Sequence, residues 1–149
     1  MPMLAGYERV RDAVARAVAG AGVSLRRLEQ ALPDAEWQCW LVHSIRTASF
    51  VVADVTDHNP FVMYELGLAH GRELPTLLIV DSKHERIPAT VLGSPFLTYN
   101  NCDLDRFEEE LTAWIVTTAD TLRLPSRQLS GLPRHANNRY YYARISRMS

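Results

Sequence analysis

The sequence predicts an α/β fold, a three-layer α/β/α sandwich with helices on both faces of a parallel sheet, and three observations carry that expectation. Ser49-Phe50-Val51-Val52-Ala53-Asp54-Val55 is a continuous apolar, largely β-branched run, the pattern of a strand buried on both faces. Thr76 to Val80, introduced by Pro75, is a second such run. Before, between and after them, apolar positions recur every three or four residues, so helices alternate with strands as βαβ units require.

Taken in order, Tyr7 to Ala19 reads as a helix, with Val10, Val14, Ala17 and Val18 at helical spacing and Gly20 and Gly22 closing it. Gly22 to Leu25 is expected to form a short strand, and residues 26–34 a polar loop. Asp34 offers an N-cap for a helix over Ala35 to Thr47, whose one side carries Trp37, Trp40, Leu41, Ser44 and Ile45. After the buried run, Asn59-Pro60 signals a helix start: a capping side chain, then a proline whose missing N–H costs nothing in the first turn. That helix is expected to reach about His70. Phe96 to Tyr99 reads as a further short strand. Leu104 to Thr121 reads as an amphipathic helix with Phe107, Leu111, Trp114, Ile115 and Thr118 on one face.

The chain of 149 residues suits one domain with a real core, and 47% hydrophobic with 22% charged residues argues against disorder. No apolar run approaches the ~20 residues of a membrane span, and the first residues lack the pattern of a secretory signal, so a cytoplasmic location is expected. Cys39 and Cys102 have no metal-ligand spacing and read as free thiols. No ligand set calls for a metal, and no cofactor is expected; the glycine-rich phosphate loop of ordinary dinucleotide-binding domains is absent.

Charge divides the chain. Residues 1–121 hold 10 basic and 17 acidic side chains, whereas the last 28 residues hold six arginines and no acid. The expected organisation is therefore an α/β domain over 1–121 and a basic extension over 122–149. Only the extension offers nucleic acid or an acidic partner a favourable field. Within it, Tyr140 to Ile145 reads as a strand or a partner-binding segment.

Ligands in open parallel sheets sit beyond the carboxyl ends of strands, where helices begin. Asp54 to Glu65 occupies that place: Asp54 ends a strand, Asp57 to Asn59 form the loop, and Glu65 lies inside the next helix. Val62, Leu66 and Ala69 form the core stripe of that helix. Glu65 shares a stripe with Phe61, Leu68 and Ala69 beside it, where a carboxylate is partly desolvated and more reactive. Gly67 leaves room for a ligand or another backbone to approach. By spacing alone a helical Glu is more often solvated or ion-paired. His43, His58, His70 and His84 show no ligand or triad spacing and read as structural or exposed.

The segments Ala48 to Thr56, Asn59-Pro60-Phe61-Val62-Met63-Tyr64-Glu65-Leu66-Gly67-Leu68-Ala69-His70 and Pro75 to Ile79 resemble the nucleoside 2-deoxyribosyltransferase-like and TIR-like superfamily. The resemblance covers about residues 1–120, and its Tyr-Glu-Leu-Gly core is its most specific part. Met1-Pro2-Met3 looks like the end of that family's first strand, so the first strand is expected to be truncated, with Tyr140 to Ile145 a candidate to fill its slot. The resemblance implies a flavodoxin-like fold and a catalytic Glu65 acting at the anomeric carbon of a nucleoside, nucleotide or NAD-like substrate. It implies substrate contacts from Asn59 and Asp54, and from Ser49 and Phe61, which stand where relatives carry a base-assisting Asp and a second Asn. Cleavage or transfer of an N-glycosidic bond by a homo-oligomeric enzyme is the leading expectation. The alternative is a non-catalytic nucleotide-sensing or interaction module of a prokaryotic defence or stress system.

Overall fold

A computed structural model describes residues 2–23, 34–84, 86, 93–122 and 140–143. The elements run α1 (Pro2–Gly20), α2 (Asp34–Thr47), β1 (Phe50–Asp54), α3 (Pro60–Gly71), β2 (Thr76–Asp81), β3 (Phe96–Tyr99), α4 (Asp105–Thr121) and β4 (Tyr140–Ala143). The sheet order is β3-β2-β1-β4, with β1, β2 and β3 parallel and β4 antiparallel to β1. Helices cover both faces, giving a flavodoxin-like α/β/α sandwich with an open sheet.

Strand alternation explains why the two central runs are apolar throughout. Phe50 and Val52 of β1, with Leu77 and Ile79 of β2, face α1 and α4, where Val10, Val14, Phe107, Leu111 and Ile115 complete one core. Val51, Ala53, Leu78 and Val80 point the other way, onto Leu41 and Ile45 of α2 and Val62, Leu66 and Ala69 of α3. Phe50 is fully buried and meets Trp114 edge-on, with ring centroids 5.6 Å apart. The helical stripes read from the sequence are the buried ones, except that Trp40, Trp114 and Thr118 are only partly covered. The side chain of Trp37 lies outside the described residues.

At the amino terminus the expectation is corrected. Pro2 and Met3 are not the end of a strand; they form the first turn of α1, which begins five residues earlier than Tyr7. A proline at the first helical position is pre-set for the turn, and Met, Leu and Ala behind it are strong helix formers. The strand expected at Gly22 to Leu25 is absent from its described part. Gly22 takes a left-handed φ of 69°, and Val23 N–H donates back to the Val18 carbonyl, a glycine-closed helix end. Residues 24–33, including most of the expected loop, lie outside the described residues.

Beside β1, the edge position is taken by β4 from the basic extension, with Phe50 opposite Ala143 and Ala53 opposite Tyr140. β1 is thereby paired on both sides. Deleting residues 140–149 should expose the backbone edge of a strand whose five residues are all buried. The expected result is concentration-dependent self-association of the shortened chain, read by light scattering, where the full chain shows less. Among the described residues no helix is long and apolar enough to cross a membrane.

Candidate functional site at the carboxyl edge of the sheet

β1 delivers Asp54 to the carboxyl edge of the sheet, and a knot of hydrogen bonds holds it there. Its Oδ1 accepts from Thr56 N–H at 3.0 Å and from Thr56 Oγ1 at 2.6 Å, and its Oδ2 accepts from the Tyr99 hydroxyl at 2.8 Å. Thr56 Oγ1 in turn accepts from Asp81 N–H at 2.9 Å. One carboxyl group thus ties together the ends of β1, β2 and β3. Asp54 is 1% exposed, and burial raises its pKa from 3.8 to about 6 despite the three hydrogen bonds that favour the anion. Tyr99 titrates well above the ordinary tyrosine range, first because it is buried and then because Asp54 faces it.

The hydrogen bonds of the knot can be satisfied in either protonation state of Asp54. With Asp54 ionised, both hydroxyl protons go to the carboxylate and none remains for the 3.1 Å contact between Thr56 Oγ1 and Tyr99 OH. With Asp54 protonated, its hydroxyl donates to Tyr99, Tyr99 donates to Thr56, and Thr56 donates back to Asp54. Three donors and three acceptors then close a ring. Sequence reasoning picked out Asp54 but missed Thr56 and Tyr99. The Thr two residues after a strand-end Asp was a readable turn signal; Tyr99, 45 positions away, became a partner only through the β3 placement.

Downstream, the loop from β1 to α3 bends through His58, a non-glycine residue at φ 51°, whose ring Nε2 lies 2.6 Å from the Arg86 carbonyl oxygen. A side chain in the left-handed region carries backbone strain, here next to the strand-end edge. Asn59 then caps α3 as its spacing predicts, its side-chain oxygen accepting from Phe61 N–H at 2.9 Å, with Pro60 in the first turn. Phe61 itself points outward and is 63% exposed. His43, His58, His70 and His84 are all exposed.

Glu65 lies one turn and a half inside α3 and is 1% exposed, deeper than the partly desolvated edge that its spacing suggests. It shares its face with Val62, Leu66 and Ala69 in the α2/α3 layer. Asp54 belongs to the other layer, since its partner Tyr99 packs with Phe107 of α4 at 5.6 Å between ring centroids. The sheet therefore separates the two carboxyl groups, and they do not form a carboxylate pair. Ser49 precedes β1 at its amino end, roughly 16 Å from Asp54 at the rise of an extended strand. Asp54, Asn59 and Phe61 gather near the carboxyl edge; Ser49 does not join them.

Gly67 is exposed, and a Cβ placed on it meets nothing within 4 Å, so among the described residues no other part of the chain approaches it closely. Gly67→Ala should accordingly stabilise the protein by about 0.5–1 kcal/mol through helix propensity, measurable by urea unfolding.

Two surface grooves complete the picture. One, of about 710 Å³, runs between α2 and α3; the other, of about 290 Å³, lies where α1 meets the loop before α4. Glu65, Asp54, Asn59, Phe61 and Ser49 line neither. Among the described residues no three His, Cys, Asp or Glu side chains are placed to hold a metal ion. Compared with protein-family models, curated proteins and solved structures, the chain matches none.

Proposed function

We propose that this chain cleaves or transfers the N-glycosidic bond of a nucleoside, nucleotide or NAD-like substrate, with Glu65 as its catalytic carboxylate. The observation that carries the reading is the burial of Glu65 in an apolar helix face. An ionisable group there costs free energy that a leucine would not, and such costs concentrate at functional sites. Its helix starts at the carboxyl edge of a parallel sheet, beside a strained loop residue. The Tyr64-Glu65-Leu66-Gly67 motif points the same way.

In that chemistry the C1′–N bond breaks and its electron pair leaves with the base; the base of a nucleoside or nucleotide then takes a proton from water, whereas the nicotinamide of an NAD-like substrate leaves neutral and needs none. The developing positive charge at C1′ is stabilised or captured by the Glu65 carboxylate, and water or a second base completes the exchange. Asn59 would contact the sugar from the helix cap. Asp54, fully engaged by Thr56 and Tyr99, supports the loop that carries Asn59 and takes no direct part. A homo-oligomer whose neighbouring copy supplies leaving-group assistance fits the position of Ser49 at the far end of β1.

The experiment is chromatography of free base released from a panel of nucleosides, nucleotides and NAD by the full chain and by Glu65→Ala. Release from at least one class, lost in the variant, is expected. Base release unchanged in Glu65→Ala would overturn the assignment. The absence of Glu65 from both grooves favours a second reading, a non-catalytic nucleotide-sensing or interaction module of a defence or stress system. Nucleotide binding without release of base from any of the panel would select that reading.

A further inference from the structure

We propose that the groove between α2 and α3 is a separate binding site for a nucleoside phosphate, with Arg46 and Arg72 holding the phosphate and Tyr64 stacking on the base. The two arginines come from different elements: Arg46 from the last turn of α2, Arg72 from the residue that ends α3. Both line the groove together with His43, and among the described residues no acidic side chain lines it. Neither arginine makes an ion pair with a described residue.

Two exposed arginines thus open onto one groove, and among the described residues no acidic side chain is placed there to offset their charge. Each arginine alone is explained by the negative pole of its helix end. Their opening onto one groove is not. A phosphate dianion supplies the missing charge, and the planar fork of arginine matches its oxygens.

The rest of the groove fits a nucleoside better than a bare anion. Tyr64 is 49% exposed and Val42 40% exposed, an aromatic and aliphatic wall turned to solvent beside the cationic rim. A volume of about 710 Å³ exceeds what inorganic phosphate fills and lies in the range of small-ligand sites. The last turns of α2 and α3 lead into the amino ends of β1 and β2, so Arg46 and Arg72 stand at the end of the layer opposite the carboxyl edge. It is independent of the role of Glu65.

Cys39 lines this groove and Cys102 lies elsewhere; both thiols are free and exposed, which gives an internal control. The full chain is alkylated with iodoacetamide in the presence of millimolar nucleoside monophosphates or inorganic phosphate, and each cysteine is followed by mass spectrometry. A nucleoside monophosphate is expected to slow modification of Cys39 several-fold and leave Cys102 unchanged, with phosphate much less protective. Arg46→Ala and Arg72→Ala, both exposed positions, should each weaken protection about 10-fold in ligand concentration, and Tyr64→Ala should weaken it too. Glu65→Gln should leave it intact, which separates this site from the catalytic reading. Equal protection by phosphate and nucleotide, protection indifferent to the arginine substitutions, or no protection at all would overturn the proposal.

Discussion

Asp54→Asn is expected to stabilise the protein at pH 8 by up to about 3 kcal/mol and to have little effect at pH 4. The sign follows from the carboxyl group's environment. Its pKa is 3.8 when the chain is unfolded and about 6 in the folded protein, so folding favours the protonated acid. The stability this contributes is complete below pH 3.8 and is lost as pH rises through 6. Above that, the native state holds an ionised carboxylate at a site that is 1% exposed, and the shift corresponds to the stated free energy. Asparagine mimics the protonated acid: its amide donates to Tyr99, Tyr99 to Thr56, and Thr56 to the remaining oxygen, so the ring closes at every pH. Thermal unfolding of both proteins from pH 4 to 8 checks this, with the variant's advantage growing through pH 5 to 6. An asparagine variant less stable at pH 8 would mean that the anion is the favoured partner of the two hydroxyls.

Glu65→Gln is expected to reduce base release at least 100-fold while changing stability by no more than about 1 kcal/mol. Glutamine keeps the volume and shape that Val62, Leu66 and Ala69 pack around, so the fold should barely register the change. The chemistry should register it fully, because an amide neither captures nor stabilises a developing oxocarbenium ion as a carboxylate does. Destabilisation by several kcal/mol with release scaled to the folded fraction would instead make Glu65 a structural group.

Much of the fold was legible because its signals are local. The uninterrupted β1 and β2 runs announce strands covered on both faces, and the Asn59-Pro60 pair announces the start of α3 through its cap and fixed φ. Periodicity also put Glu65 beside the core stripe but did not give the full depth of its burial. What stayed hidden depends on how distant segments meet. Tyr99 joins Asp54 only because β3 lies in the sheet, and Arg46 faces the same groove as Arg72 only because α2 lies beside α3. Pro2 and Met3 misled for a different reason: a proline fits a strand end and a first helical turn equally well, and only the residues behind it distinguish them. Tyr140 to Ala143 carries the aromatic run of a strand, but its antiparallel pairing with β1 is a tertiary choice.

In the proposed enzyme two buried carboxyl groups on opposite faces of one sheet divide the labour, Asp54 holding the strand ends and Glu65 serving the substrate. The decisive measurement is the rate of base release by Glu65→Gln and Asp54→Asn, side by side with the unaltered chain. Glu65→Gln should lose at least 100-fold, and Asp54→Asn should stay within about threefold. Full activity in Glu65→Gln, or an equal collapse in both, would rule out that division of labour.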